Sequence, residues 1–368
     1  MKVGVPRETA ANERRVALVP DTVARLVRSG FEVLVEAGAG ESAPFSASAY
    51  QAAGATIVSE AAELFGAADI VLKVQKPPPT EVARCRPGTA LVGLLHPAMN
   101  PDLVQLLAAR ELTSFSLDLL PRVARAQPMD ALSSQATVAG YVSVLLAAQA
   151  SGRFFPMLVT AAGTLPPAQV LVLGAGVAGL QAIATARRLG AVVQAFDIRP
   201  PVKEQVESLG ATFLGLGIED ETETAGGYAK PLSEESRRRE QSFIAQHAQD
   251  ADVVISAALI PGKRAPTLVT AEAVEAMKPG SVIVDLAAEW GGNCALTKAG
   301  AEVRHRGVRI LGPVNLPSTL PLHASQMYSR NISSFLLHVV RDGKLRFDLS
   351  DEITANTWVT HQGRMKDL

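Results

Sequence analysis

Residues 170–179 read V-L-V-L-G-A-G-V-A-G, an uncharged Val-rich run that passes directly into glycines and then into the helix-forming stretch 180–189. A strand that turns through G-x-G-x-x-G into a helix is the entry to a Rossmann βαβ unit. Gly174 suits the tight turn, Gly176 lets backbone approach a pyrophosphate, and Gly179 lets the helix lie close on the strand. The anion would face the unpaired N–H groups at the helix start and the positive end of its dipole. A second strand is predicted over 192–196 and ends at Asp197, where an acidic side chain meets the hydroxyls of an adenosine ribose. A Gly-rich turn in some other α/β protein can carry the same letters; here strand, helix and acid coincide. Asp197 would repel a 2′-phosphate, which favours NAD(H). Arg199 pulls the other way, and is expected over the adenine or in a surface pair.

At 368 residues the chain is too long for one ordinary core and predicts two or three domains. A formal net charge of −1 gives no nucleic-acid footprint and no polybasic membrane patch. Cys85 and Cys294 lie far apart, without metal-ligand spacing, so a reducing compartment, no disulfide framework and no metal are expected. M-K-V-G-V-P-R-E lacks the apolar core of a signal peptide. No charge occurs between Arg153 and Arg187, long enough to span a bilayer, but Gly163, Pro166, Pro167 and the motif glycines predict helix, turn, strand and helix instead.

The first third alternates strands (2–5, 32–36, 55–58, 70–74, 90–95) with helices (20–29, 46–53), the rhythm of a mostly parallel sheet. Lys73, Gln75 and His96 fall at strand ends, where such sheets bind ligands. A long helix is predicted over 131–151, opened by the residues around Ser133, and a second over 325–342. Strands over 251–256, 281–286 and 308–311 continue the nucleotide-binding sheet. The expected fold is α/β: two Rossmann-like domains with mostly parallel sheets, joined by long helices around a cleft. Residues 1–130 with 326–368 form a discontinuous first domain, and 131–325 form the dinucleotide domain with its linker helix. The charged segment 219–240 breaks the rhythm; Gly226, Gly227 and Tyr228 suit a hinged loop that closes over a nucleotide.

Residues 121–135, P-R-V-A-R-A-Q-P-M-D-A-L-S-S-Q, crowd Arg122, Arg125, Gln127, Asp130, Ser133 and Gln135 before the long helix. Asp130 and Ser133 offer the acceptor and donor that a nicotinamide carboxamide needs, and Arg122 could orient the ring, ribose or phosphate. Helix capping by Asp130 or Ser133 with exposed arginines accounts for the same residues.

The chain resembles the NAD(H)-binding component (domain I) of proton-translocating nicotinamide nucleotide transhydrogenase and, more distantly, alanine dehydrogenase. The resemblance spans nearly the whole length. It rests on M-K-V-G-V-P-R-E with N-E-R-R-V-A at 12–17, V-L-K-V-Q-K-P at 71–77 and R-A-Q-P-M-D-A-L-S-S-Q at 125–135. It continues through the glycine motif and its helix, K-E-Q-V-E-S-L-G-A at 203–211, T-A-G-G-Y-A-K at 224–230 and A-L-I-P-G-K at 258–263. It implies an NAD(H) site at Gly174, Gly176, Val177, Ala178, Gly179, Asp197, Ile198, Arg199, Gly227, Tyr228 and Leu259. Its reacting end is implied at Arg122, Gln127, Asp130 and Ser133, with Gln127 reaching toward the partner's nucleotide.

The implied activity is direct hydride transfer between NAD(H) here and NADP(H) on a partner, Re/Si-specific and coupled to proton translocation by membrane subunits. The implied partners are an NADP(H)-binding β subunit, a membrane-spanning subunit and a second copy of this chain. The implied location is cytoplasmic, peripheral on the inner membrane through partners and without direct insertion. An NAD-dependent alanine dehydrogenase is the alternative. Arg15 and His96 stand where that enzyme has a substrate-binding Arg and a catalytic His. The second Lys of its K-V-K-E-P is Gln75 here, and the Asp of its V-D-I-A-x-D-Q-G-G is Glu289. Oxidative deamination needs a cationic carboxylate clamp and acid–base groups, so the missing Lys weighs against it.

Overall fold

The computed structural model describes residues 1–216, 232–259 and 263–367. It divides into two compact units, Met1–Gln135 with Pro317–Leu368, and Ala136–Leu316. Relative to the expected boundaries at 130/131 and 325/326, the first turn of the long helix and residues 317–325 go with the first unit. Gln135 accepts from Arg15 there, and Ser318 and Ser325 accept from the backbone N–H groups of Arg14 and Val16.

In the first unit the alternating pattern folds into β1 (Lys2–Val5), β2 (Glu32–Glu36), β3 (Thr56–Val58), β4 (Ile70–Gln75), β5 (Ala90–Leu94) and β6 (Thr113–Ser116). They lie in the parallel order β6-β5-β4-β1-β2-β3, and the C-terminal strands Trp358–His361 and Arg364–Met365 extend the sheet antiparallel beyond β6. A sheet covered on both faces reads as continuous apolar sequence. Ile70, Leu72 and Val74 pack into one core with Tyr328 and Phe335 of helix Pro321–Val339, while Val71 packs into the other with Leu64, Phe65 and Leu107. Ser114 and Thr360 share a buried hydroxyl bond of 2.7 Å that fixes the terminal strand on β6.

In the second unit, the long helix is followed by a hairpin, β7 (Leu158–Thr160) and β8 (Gly163–Leu165), where the sequence predicts helix and turn. Gly163, at φ +118, supplies the backbone conformation that this reversal needs. The sheet then comprises β9 (Gln169–Leu173), β10 (Val192–Phe196), β11 (Thr212–Leu214), β12 (Val253–Ser256), β13 (Val282–Asp285), β14 (Glu302–His305) and β15 (Val308–Leu311). Its order is β11-β10-β9-β12-β13-β15-β14, parallel except for β14. From β9 the chain winds outward through β10 and β11, then returns to β12 on the opposite side. The β9/β12 boundary is therefore a topological switch point, where doubly wound sheets bind ligands. Val170 and Val172 serve the core on one face, Leu171 and Leu173 that on the other.

Helix Ala131–Ser151 is long and apolar enough to cross a membrane by length and composition, yet 44% of its most apolar window is buried inside the protein. Gly140 is one cause: a Cβ there would stand 2.1 Å from the carbonyl oxygen of Ala178.

Candidate dinucleotide site

The glycine motif sits at the switch point, between the end of β9 and helix Val177–Arg188. Gly174 has φ +90, a conformation that penalises any side chain, and a Cβ there would lie 3.0 Å from the backbone of Ala257. Gly179 allows the closest approach in the motif, since its Cβ would fall 1.8 Å from the carbonyl oxygen of Gly174. Gly176 differs: nothing lies within 4 Å of its virtual Cβ, and it caps the helix without a side-chain bond. Helix bonding begins with Leu180 N–H to Gly176 O at 2.8 Å, so the N–H groups of Val177, Ala178 and Gly179 have no acceptor within the helix. The first turn carries no acidic side chain, and Val177 is exposed beside it. This cradle fits an anionic pyrophosphate.

Asp197 stands at the end of β10, buried, and its carboxylate accepts from the N–H of Ala175 at 2.8 Å. Arg199 pairs with this same carboxylate through Nε at 2.9 Å and Nη2 at 2.8 Å, and its backbone N–H adds a third bond. It therefore neutralises the residue expected to repel a 2′-phosphate. Ile198 between them is half-buried, and Leu259, beyond β12, is exposed. Gly227 and Tyr228 lie outside the described residues.

Sequence reasoning passed over Glu240, which lies in the charged tract S-E-E-S-R-R-R-E and reads as one more solvated carboxylate. The structure buries it on helix Glu234–Ala248, whose Phe243 ring packs 5.6 Å from Phe196 at the end of β10. Spacing offered a signal: Glu240 precedes the buried Ile244 by one turn. Burial and the Asp197 charge push its carboxyl up to about 7, with Arg237 opposing. A raised carboxyl favours the protonated folded state, so stability is fullest in acid and falls as pH rises through about 7. Glu240→Gln is expected to raise unfolding free energy at pH 8 by about 3 kcal/mol or less and to change it little at pH 4. Denaturant melts at the two pH values check this.

In the first unit, residues Ala124–Met129 form a 3₁₀ turn anchored by buried Ala126 and Met129 and by Asn331 Nδ2, which donates to Pro128 O at 2.9 Å. The turn leaves Arg122 and Gln127 exposed. Arg125 points elsewhere, to Asp351 at 3.3 Å. Asp130 accepts from Ser133 N–H at 2.9 Å and from Ser133 Oγ at 2.5 Å. These two residues thus cap helix Ala131–Ser151, and their polar atoms already sit side by side.

The strand-end residues of the same unit build a closed network. Arg15 is 3% exposed. Its Nε and Nη2 donate to the two oxygens of Glu13 at 2.8 and 2.6 Å, Nη1 donates to Gln135 Oε1 at 2.7 Å, and Gln75 Nε2 donates to Glu13 at 2.9 Å. The guanidinium is thus held in a bidentate fork by the chain's own carboxylate. Lys73 is likewise enclosed, 2.8 Å from Glu81 and 3.4 Å from Glu8; burial opposes its charge, but the two carboxylates outweigh burial and raise its pKa. His96 sits in left-handed backbone at φ +46, with its ring nitrogen 3.5 Å from Asp118. Both cysteines are buried and unpaired, and no metal-binding cluster occurs among the described residues.

Burial alone would raise the Glu13 carboxyl, but the Arg15 bonds and charge, aided by Gln75, hold it down at about 2. A depressed carboxyl stabilises the fold above its unfolded pKa, near 4.5, and that contribution disappears as pH falls from there toward 2. Glu13→Gln is expected to cost about 3 kcal/mol at neutral pH and to converge with wild type near pH 2 in acid-titration melts.

Family models described as alanine dehydrogenase/PNT, N-terminal domain and C-terminal domain match residues 4–139 and 143–367. The chain belongs to the alanine dehydrogenase/PNT family. Within it, an NAD(P) transhydrogenase subunit alpha chain of Rhodospirillum rubrum is 48% identical over 99% of this chain and 97% of its own. The solved structure of a transhydrogenase from Sinorhizobium meliloti superimposes with TM-score 0.87 at 42% identity, covering 99% of this chain and 98% of that one. An L-alanine dehydrogenase structure follows at TM-score 0.83 and 29% identity, covering 99% and 96%. Both branches of the family share the fold, so side chains must separate them.

Proposed function

We propose that this chain is the NAD(H)-binding component of a transhydrogenase, exchanging hydride directly with NADP(H) held by a partner subunit. The observation that carries this reading is the state of Arg15. Its guanidinium is filled by Glu13 and Gln135 in a buried network with Gln75, which closes it to the carboxylate of a metabolite. The glycine cradle, by contrast, is open. A bound nicotinamide supplies the hydride chemistry, and the chain's residues hold and orient it. The N–H groups ahead of Leu180 would take the pyrophosphate, and Asp197 with Ile198 and Arg199 the adenosine ribose. Val177, Ala178 and Leu259 would line the nucleotide, with Gly227 and Tyr228 closing over it. Arg122, Gln127, Asp130 and Ser133 would address the nicotinamide end, and exposure of Gln127 supports its role toward the partner. Proton coupling and Re/Si specificity would be properties of the assembly, with this chain peripheral on the cytoplasmic face.

A homodimer is part of the reading, supported by the apolar surface around β7 and β8, where Phe154, Met157 and Val159 are exposed and uncharged. The test mixes the purified chain with an NADP(H)-binding transhydrogenase subunit and follows hydride exchange between NADH and an NADP⁺ analogue. Exchange that needs both proteins is expected. Turnover of pyruvate, ammonia and NADH by the chain alone would overturn the reading in favour of alanine dehydrogenase.

A further inference from the structure

Beyond β13 the chain runs through Glu289-Trp290-Gly291-Gly292 to Asn293, which is fully buried. Its side chain grips the segment that leaves β12. Ala258 N–H donates to Asn293 Oδ1 at 3.1 Å, and Asn293 Nδ2 donates to Ala258 O at 2.9 Å and to Pro266 O at 2.8 Å. The two donors meet carbonyls and the acceptor meets an N–H, so only one amide orientation satisfies the set. Asn293 is itself fixed by Asp285, at the end of β13. That fully buried carboxylate accepts from the N–H groups of Ala287 (3.0 Å), Asn293 (2.8 Å) and Cys294 (3.0 Å), and from Thr297 Oγ1 (2.6 Å).

Ala258 lies in the wall of the nucleotide cradle. A Cβ on Gly174 would meet the carbonyl carbon of Ala257 and the nitrogen of Ala258 at 3.0 Å each, so this backbone lies against the turn after β9. The next residue is the exposed Leu259. We propose that Asn293, fixed by Asp285, is a positioning residue that sets the Ala258–259 wall on the β12 side of the switch point. It would thereby order the nicotinamide half of a bound dinucleotide and leave the adenine half untouched. This rests on the dinucleotide reading above. The division follows from topology: the adenine half of a doubly wound site lies over the strands on the β9–β11 side, and the second half over those that begin at β12. The side-chain hydrogen bonds of Asn293 go to Ala258 and Pro266, and not to the motif glycines, Asp197 or Arg199.

The experiment compares NADH and AMP binding to wild type, Asn293→Ala and Asn293→Asp, with thermal melts as a fold check. The Asp variant keeps the volume of the side chain but sets an acceptor oxygen against the carbonyls of Ala258 and Pro266, so it tests the bonds when the Ala variant unfolds. NADH is expected to weaken about 10-fold or more in both variants, while AMP affinity stays within about twofold. A merely structural role would lower both affinities together, and that result overturns the proposal, as does NADH binding equal to wild type. A wild-type chain that binds neither ligand is a different failure, and sinks the dinucleotide reading itself.

Discussion

A Gly176→Ala chain is expected to melt as wild type does and to bind NADH about 100-fold more weakly. The added methyl meets nothing within 4 Å, and the backbone there, at φ −76, suits any residue. Exchanging Gly for Ala at a helix N-cap costs under about 1 kcal/mol. All of the loss should therefore fall on binding, because the methyl projects into the space over the unpaired N–H groups of helix Val177–Arg188. Gly179→Ala makes the contrast. Its Cβ would press on the Gly174 carbonyl at 1.8 Å, so the helix or the turn must move. Stability should drop by about 3 kcal/mol along with NADH affinity. NADH fluorescence titrations beside thermal melts read both quantities. Undiminished NADH binding by the Gly176 variant would remove the pyrophosphate from this turn, and with it the proposed function.

The second large effect is expected at Gln127. Its turn is held by Ala126, Met129 and the Asn331–Pro128 bond, none of which involves the Gln127 side chain. Gln127→Ala should keep the fold and keep NADH affinity within about twofold, yet slow exchange with a partner's NADP(H) about 100-fold in single-turnover mixing. Asp130→Ala serves as the contrasting variant. It removes the cap on Ser133 N–H and should cost about 1 kcal/mol of stability. Exchange by the Gln127 variant at the wild-type rate would refute its bridging role.

The glycine motif was legible because its spacing encodes backbone geometry directly. A positive φ at Gly174 and a near-collision at Gly179 are local demands that few other sequences meet. Strand β10 was legible as a short apolar run ending at Asp197, and helix Ala131–Ser151 through its boundaries, the polar residues around Ser133 at its start and Gly152 after its end. Strand β6 was not, because T-S-F-S carries a single large apolar residue; it is a strand through its neighbours, Phe115 against Phe335 and Ser114 against Thr360. The hairpin at β7 and β8 lacked the burial pattern that marks a strand, being exposed along most of its length.

The electrostatic half of the site was hidden differently. Arg199 stands two residues from Asp197 in sequence, but its fork on that carboxylate depends on a turn that a sequence does not display. Glu240 meets the Asp197 charge, and Asn293 meets Ala258 and Pro266, across tens of residues of sequence, while Asp285 gathers N–H groups from the turns just after it. Only the helical spacing of Glu240 from Ile244 gives a local sign. The pairing of Glu13 with Arg15 is close in sequence, yet it matters only because β4 brings Gln75 and the long helix brings Gln135 to the same place.

The first unit is written in two pieces, with the whole second unit inserted between residues 135 and 317. During synthesis the inserted unit has all of its strands once residue 316 has emerged, while the earlier piece still lacks Tyr328, Phe335 and the strand that pairs with β6. The amino-terminal sheet must therefore wait on the ribosome with an open edge and an unfilled core. That interval exposes the nascent chain to aggregation and to chaperones, and C-terminal truncation would make it permanent.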